Sequence, residues 1–205
     1  GRFPCYHALF GRMSDQTFVR SERLIEVSPF DSGKVFYTNS GSEANDTMVK
    51  MLWFMTQAEG RPQGRKILTR KNAYHGVTAV SASMTGKPYN SLFGLPMEGF
   101  IHLTCPHYWR EGRADQTEAE FSARLGAELE EVITREGADT IAGFFAEPVM
   151  GAGGVIPPSA GYFQIVQQIL RKHNIPLIAD EVICGFGRTG NIWGCDTYQF
   201  VPDAI

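Results

Sequence analysis

The stretch Leu177-Ile178-Ala179-Asp180-Glu181-Val182 decides how this chain folds. A short apolar run follows Pro176 and ends in the carboxylate of Asp180, and a glycine-rich segment, residues 183–190, comes next. An apolar run of this length, bounded by turn signals, predicts a buried strand. In open α/β sheets ligands bind outside the carboxyl ends of the strands, so Asp180 lies where a ligand is expected. Because a buried carboxylate is costly without a cation or a strong donor, Asp180 needs a partner.

Strand and helix patterns alternate along the rest of the chain, which predicts an α/β fold without repeats or linkers. Strands are expected at Lys34 to Thr38, Lys66 to Arg70, Ile141 to Ala146 and in the run that ends at Asp180. Helices are expected from Ser42 to about Gln57, from Thr117 onward behind a capping box, and from Tyr162 to His173. Gly86 to Arg113 has no clear period and is expected to be a long surface loop.

Two of these helices carry apolar stripes that predict which face is buried. The residues of the first stripe are Ala44, Met48, Met51, Leu52 and Met55, and those of the second are Phe121, Leu125, Leu129, Val132 and Ile133.

Composition narrows the possible partners. The 205 residues are 43% apolar with a net charge of −3, so neither nucleic acid nor an anionic membrane is an expected partner. Cys5, Cys105, Cys184 and Cys195 form no CxxC pair, so we expect no zinc or disulfide framework and a cytoplasmic location. His102 and His107 flank Cys105, but their spacing is not that of known metal sites, and we expect no metal.

The segment Thr38-Asn39-Ser40-Gly41-Ser42-Glu43-Ala44-Asn45 joins a predicted strand to a predicted helix. The first N–H groups of a helix are unpaired and lie at the positive end of its dipole, so this segment can cup a phosphate. Gly41 permits close approach of an anion, and Ser42 can donate to a phosphate oxygen or cap the helix. If this motif is taken alone, ordinary N-capping of the helix explains it equally well.

Two further motifs follow predicted strands. Asn72-Ala73-Tyr74-His75-Gly76-Val77 can place an aromatic ring over a flat ligand, although ordinary packing explains it too. Residues 145–154 place Glu147 at a strand end before Pro148 and several glycines, where a glutamate can also be a solvated cap.

The partner that Asp180 needs could be a cofactor with a pyridine ring. A carboxylate beside the ring nitrogen keeps that nitrogen protonated, which makes the ring an electron sink. The alternative for Asp180 is a structural ion pair with Arg188.

Taken in order, these four motifs resemble those of the pyridoxal-phosphate aminotransferases of fold type I, class III, and most of all the amine:pyruvate transaminases. The resemblance covers essentially the whole chain and includes the segment Cys105-Pro106-His107-Tyr108-Trp109-Arg110. It implies a three-layer α/β/α fold with a mostly parallel central sheet, in which residues 1–205 form part of the large cofactor-binding domain.

The resemblance implies roles for individual residues. Gly41 and Ser42 hold the phosphate of pyridoxal phosphate, Tyr74 and Val182 pack on opposite faces of its ring, Asp180 pairs with the ring nitrogen, and Glu147 supports the site near Asp180. The implied substrate pocket contains Leu9, Phe10, Val77 and Ala152. In the ornithine and γ-aminobutyrate branches a glutamate follows the turn glycine where this chain has Ala152, so the small side chain favours amines without a second carboxylate.

A lysine of this family forms the Schiff base with the cofactor and moves the proton. The resemblance implies that it lies about four residues beyond Ile205. None of the six lysines is expected to take this role; they are Lys34, Lys50, Lys66, Lys71, Lys87 and Lys172. We therefore expect an internal fragment that is inactive by itself, from a protein that works as a homodimer.

The expected activity is ping-pong transamination through pyridoxamine phosphate, from an amine or ω-amino acid to pyruvate or a similar keto acid. Three alternatives stay open. The same cradle serves decarboxylases, racemases and aminomutases, a relative that lacks the lysine binds the cofactor without catalysis, and a plain α/β domain carries such motifs as caps and turns.

Overall fold

The computed structural model describes residues 14–30 and 33–205. The chain divides into two compact units, Gly1–Tyr37 and Thr38–Ile205. In the first unit the described residues form helix α1, Asp15–Glu26, which begins at the N-cap Ser14. The Ser14 hydroxyl accepts the Thr17 N–H at 3.2 Å, so one of the unpaired donors of the first turn is satisfied.

The second unit alternates helices with parallel strands. Its strands are β1 Lys66–Arg70, β2 Phe100–Leu103, β3 Ile141–Ala146 and β4 Leu177–Ala179. Its α-helices are α2 Gly41–Ala58, α3 Ala79–Met84, α4 Tyr108–Glu111, α5 Glu118–Glu136, α6 Tyr162–Lys172 and α7 Gly194–Thr197. Short 3-10 helices cover Pro88–Phe93 and Ala138–Thr140. Within the described ranges, no helix has the length and apolar character needed to cross a membrane.

The four strands form one sheet in the order β2-β1-β3-β4, and every neighbouring pair is parallel. All carboxyl ends therefore lie at the same edge. Strand β3 is buried at each of its six positions, as expected for a central strand whose two faces are both covered. The α/β class predicted from the alternating patterns is confirmed.

Helices cover the sheet from two sides. Val49 and Leu52 of α2 and Met84 of α3 share one core cluster with residues of the strands. Helices α5 and α6 pack on each other so closely that a Cβ on Gly126 would lie 2.4 Å from Ile165 Cγ2. Buried side chains of these two helices, such as Phe121 and Phe163, form the remaining apolar layer. The arrangement is the expected three-layer architecture.

Several predicted elements are confirmed with their boundaries. Strands β1 and β3 match the predicted ranges, and α6 ends one residue before the predicted His173. Helix α5 begins after Thr117, whose hydroxyl and backbone form the predicted capping box with Glu120. The apolar stripe of this helix is buried at all five expected positions.

Two predicted elements are wrong. Lys34 to Thr38 is not a strand, because within the described residues no strand pairs with it, and Phe36 is 70% exposed. Gly86 to Arg113 is not only a surface loop, since it contains the edge strand β2 and buries Phe100, Leu103 and Cys105. A four-residue strand is too short to give a visible period, and for this reason the pattern missed it.

The buried face of α2 also differs from the predicted stripe. Ala44 and Met51 are exposed, whereas Met48 and Met55 are only partly buried. The four buried positions are Asn45, Val49, Leu52 and Thr56. The polar residue Asn45 therefore occupies a core position, and its partners belong to the site described next.

Candidate active site

The residues that the sequence motifs indicated lie at the carboxyl ends of the strands, along one edge of the sheet. Asp180 directly follows β4, Glu147 directly follows β3, and the segment 71–77 follows β1. The backbone continues the ladder for one more step, since the Asp180 N–H donates to Ala146 O at 2.9 Å. Three loops thus leave the sheet side by side, which is where open α/β sheets bind ligands.

The Asp180 carboxylate is buried at this edge, with 6% of its side chain exposed. Oδ2 accepts from His75 Nδ1 at 2.8 Å and from the Asn45 amide at 3.0 Å, and Oδ1 accepts the Val182 N–H at 3.2 Å. Burial would raise the pKa of Asp180, but the hydrogen bond and charge of His75, with the Asn45 and Val182 donors, outweigh it and lower that pKa. Asp180 is therefore held ionised, and among the described residues its partner is His75 rather than Arg188.

Glu147 connects the loops that follow β1 and β3 by hydrogen bonds. Oε1 accepts the Tyr74 N–H at 2.9 Å, and Oε2 accepts the Gly151 N–H at 3.1 Å. Burial raises the pKa of Glu147, and the charges of His75 and Arg70 offset this only in part. Among the described residues, the hydrogen-bond partners of this carboxyl group are Tyr74 and Gly151, and it acts on Asp180 through charge. Its position fixes the backbone of Tyr74, whose side chain is 36% exposed at this edge.

The first turn of α2 contains Gly41 and Ser42. Its N-cap is Ser40, whose hydroxyl accepts the Glu43 N–H at 3.2 Å, so Ser42 is not the cap, contrary to one sequence-based alternative. The Ser42 hydroxyl instead accepts the Val77 N–H at 3.1 Å, which leaves its own proton free to donate. The N–H groups of Gly41 and Ser42 make no hydrogen bond to the described residues, so this turn presents donors to an anion.

Val182 lies beside this turn. A Cβ on Gly41 would come within 3.2 Å of Val182 Cγ2, so the absence of a side chain at Gly41 matches the position of Val182. The Val182 side chain is 75% exposed. Its loop is anchored by the buried Glu181, whose carboxylate accepts the N–H groups of Gly194 at 2.9 Å and Cys195 at 2.8 Å.

The residues assigned to the substrate pocket are less closely connected. Val77, whose side chain is 76% exposed, follows β1, and the exposed Ala152 follows β3. The Ala152 carbonyl accepts from Lys87 Nζ at 3.0 Å, which links its turn to the segment after α3. Leu9 and Phe10 lie outside the described residues.

Sequence reasoning assigned no role to three buried residues of the site. His75 and Asn45 hold Asp180, and Arg70 donates from Nη2 to the Glu147 carbonyl at 2.7 Å. The Arg70 guanidinium also lies over the rings of Tyr162 and Phe163, at 5.9 and 5.8 Å. Only Asn45 left a signal in the sequence, as a polar residue at helical spacing from Val49, Leu52 and Thr56. The partners of His75 and Arg70 lie far away along the chain.

These groups fit pyridoxal phosphate. Free N–H donors and the Ser42 hydroxyl suit a dianionic phosphate, and an ionised Asp180 suits a protonated ring nitrogen. Asn45, which contacts Asp180, is four residues after Gly41, or about 6 Å along the helix axis. The phosphate donors and the carboxylate therefore lie close enough for one small ligand to contact both.

Solved structures of similar sequence share this fold. An ω-aminotransferase from Paracoccus denitrificans superposes with a TM-score of 0.97 at 79% identity, over 98% of this chain and 45% of that chain. The PMP-bound form of an aminotransferase from Vibrio fluvialis gives a TM-score of 0.97 at 78% identity, over 98% of this chain and 45% of that chain. The expected relation to ω-transaminase structures of fold type I is confirmed.

A curated relative is more distant in sequence. The probable γ-aminobutyrate transaminase 3, mitochondrial, of rice (Oryza sativa subsp. indica) is 48% identical over 100% of this chain and 40% of its own length. The chain thus spans about two fifths of this curated relative.

The name of the rice relative contradicts the expected cytoplasmic location, because that protein is described as mitochondrial. The expectation rested on unpaired cysteines, and Cys105, Cys184 and Cys195 are indeed free thiols. Free thiols only argue against oxidising compartments such as the secretory pathway. Cysteine usage therefore cannot separate the cytoplasm from an organelle, and the cytoplasmic expectation is wrong.

The family match agrees with the fold and with the chemistry of the edge. Residues 5–205 match the family described as aminotransferase class-III, whose members use pyridoxal phosphate. The match includes every described residue of the site, from Gly41 to Val182. The chain belongs to the class III aminotransferases.

Proposed function

We propose that the protein containing this chain transfers an amino group from an amine or ω-amino acid to pyruvate, with pyridoxal phosphate as its cofactor. The observation that carries the proposal is the ionised, buried Asp180, which retains an open acceptor position beside the phosphate-binding turn of α2. The high identity to the Paracoccus denitrificans ω-aminotransferase supports this choice.

When bound, pyridoxal phosphate supplies an aldehyde that takes up the amino group and a ring that withdraws electrons. The residues of this chain bind and orient the cofactor. Asp180 would keep the proton on the ring nitrogen, Tyr74 and Val182 would pack against the ring, and Gly41 and Ser42 would donate to the phosphate. Glu147 fixes the backbone of Tyr74 and thereby the position of its ring.

We also propose that the catalytic lysine is contributed by the protein outside residues 1–205, which form part of the large cofactor-binding domain. Several lysines of the chain are engaged elsewhere in a way that supports this. Lys66 pairs with Glu136 at 2.9 Å, Lys172 pairs with Glu130 at 2.6 Å, and Lys87 donates to Ala152 O. The relatives are also more than twice as long as the chain, since it covers 40–45% of them.

The donor that we propose is a primary amine or an ω-amino acid. Ala152 supports amines without a second carboxylate, because its methyl group lacks the charge of the glutamate that the ornithine and γ-aminobutyrate branches carry at this position. The rice relative is named for γ-aminobutyrate, which supports ω-amino acids as well. We propose a homodimer for the whole protein, and the exposed apolar side chains of Leu92, Phe93 and Phe186 support the presence of a covering surface.

The half-reaction tests the proposal. The complete gene product is loaded with pyridoxal phosphate and mixed with a simple primary amine, with no keto acid present. We expect the absorbance of the aldehyde form to disappear stoichiometrically, and pyruvate to restore it while alanine is formed. Release of carbon dioxide from an α-amino acid tested in the same way would indicate a decarboxylase instead, and inversion of a chiral amine without alanine would indicate a racemase. Cofactor binding without any spectral change would indicate a non-catalytic relative.

A further inference from the structure

Asn45 joins the helix that presents phosphate donors to the carboxylate that faces the ring. It lies in the second turn of α2 and is 8% exposed. Its amide nitrogen donates to His75 O at 2.8 Å and to Asp180 Oδ2 at 3.0 Å. Both partners are acceptors, so the nitrogen rather than the oxygen of the amide must face them. Both amide hydrogens are therefore used within the site.

The hydrogen bonds of Asp180 leave one acceptor position open. An ionised carboxylate has about four lone-pair positions, two on each oxygen. Oδ2 already accepts from His75 and Asn45, and Oδ1 accepts only from Val182 N. The open position is thus on Oδ1. If Asn45 were absent, Oδ2 would have an open position as well, and the carboxylate would no longer be directed.

We propose that Asn45 is a positioning residue that occupies Oδ2 of Asp180 and so directs Oδ1 toward a ligand with a protonated ring nitrogen. The proposal rests on the pyridoxal-phosphate chemistry inferred above. An apolar residue would fill this position on the core face of α2 at lower desolvation cost, since Val49 and Leu52 fill the next two. The amide therefore has a use beyond packing.

Other charged groups near Asp180 do not replace this function. His75 also donates to Oδ2, but it occupies only one of the two acceptor positions of that oxygen. Without Asn45 the second position would stay open, and a ligand could bind Oδ2 instead of Oδ1. Glu147 is linked to Asp180 only by repulsion between like charges, which cannot orient the carboxylate. Asn45 is a donor without charge, so it orders the carboxylate without competing with the ring nitrogen for its charge.

The test compares two ligands in the complete gene product. One is pyridoxal phosphate, and the other is its analogue in which a C–H group replaces the ring nitrogen. The measured quantity is the ratio of the two dissociation constants, analogue over cofactor, at equilibrium and without substrate. This ratio isolates the contact with Asp180, because both ligands share the phosphate and the aldehyde.

The variant is Asn45→Leu, which keeps the branched shape of the side chain and removes the donor. The matched control is Thr56→Val on the same face of α2, since Thr56 is also buried and its hydroxyl donates to Gly64 O at 2.8 Å, outside the site. We expect Asn45→Leu to reduce the ratio about tenfold, the lower end of the effect of a hydrogen bond to a charged group. Thr56→Val should keep the ratio within about twofold of wild type.

Each outcome decides one question. A wild-type protein that binds the cofactor preferentially, with an unchanged ratio in Asn45→Leu, overturns the role of Asn45 and leaves the proposed function intact. A wild-type protein that binds neither ligand, or binds both equally, overturns the proposed function and this inference with it. If Asn45→Leu does not fold, Asn45→Ser, whose side chain is too short to reach Oδ2, replaces it with the same expected loss.

Discussion

At Gly76 the loop after β1 packs against the phosphate turn of α2. The φ of Gly76 is +133°, and a Cβ there would lie 2.4 Å from Ser42 Oγ, 2.5 Å from Ser81 Oγ and 2.9 Å from Ser42 Cα. Rotation of a hydroxyl cannot relieve the last contact, because it involves backbone. Gly76→Ala must therefore move the two segments apart or strain both.

The cost has two parts. A side chain at positive φ costs about 1–2 kcal/mol, and forcing a methyl group into a filled space costs about 1–3 kcal/mol. Gly60→Ala is the matched control, since its φ is +76° and no atom lies within 4 Å of the added Cβ. We expect Gly60→Ala to lower the free energy of unfolding by the first of these two costs only. Gly76→Ala should lose about 2–5 kcal/mol.

The assay is chemical denaturation of the cofactor-free gene product, followed by titration with pyridoxal phosphate. Because Ser42 moves in Gly76→Ala, we expect the dissociation constant of the cofactor to rise about tenfold, the loss of roughly one hydrogen bond to a charged group. Gly60→Ala should bind the cofactor as wild type does. Equal destabilisation by the two substitutions, with unchanged cofactor binding in both, would refute the close packing of Gly76 on Ser42.

Two further predictions concern buried acidic groups, a carboxyl and two thiols. Glu147→Ala leaves two N–H groups without an acceptor. Each costs about 1–3 kcal/mol, so chemical denaturation should show that the free energy of unfolding falls by about 2–6 kcal/mol. The control is Glu131→Ala, at an exposed position, and an equally small loss in both variants would contradict the role of Glu147. Burial raises the pKa of Cys184 to about 11 and that of Cys195 to about 12. The folded protein therefore retains thiol protons that the unfolded chain releases above about pH 8.5, and stability is lost as the pH rises from there. Cys195→Ala should make the urea midpoint fall less steeply between about pH 8.5 and 11 than in wild type, and identical slopes would count against the buried thiol.

Sequence reasoning reached the architecture because the signals of this fold are local. Apolar runs such as Ile141–Ala146, and the capping box at Thr117, depend on neighbours within a few residues, and the structure contains both. Lys34 to Thr38 has strand-like residues but no strand beside it among the described residues, and pairing is a property that a single segment cannot encode.

The acidic residues of the site could be predicted from the sequence, but the residues that hold them in place could not. Asp180 stands out because a carboxylate at the end of an apolar run is costly, and that reasoning needs no structure. His75 is 105 residues away from Asp180 along the chain, and Asn45 is 135 residues away, so their contacts are created only when α2 and the loop after β1 meet at the sheet edge. A polar residue within an apolar helical stripe, as at Asn45, is the signal that could have revealed one of them.

The most direct test of the account is the reaction of the cofactor-loaded gene product with an amine alone, compared between wild type and Asp180→Asn. An asparagine keeps the size of the side chain but removes the charge that holds the ring nitrogen protonated. We expect wild type to convert its cofactor in one turnover, and Asp180→Asn to bind the cofactor but convert it at least about 100-fold more slowly, the scale of removing one electrostatic stabiliser. Equal conversion rates in the two proteins would contradict the central claim that Asp180 controls the chemistry of this site.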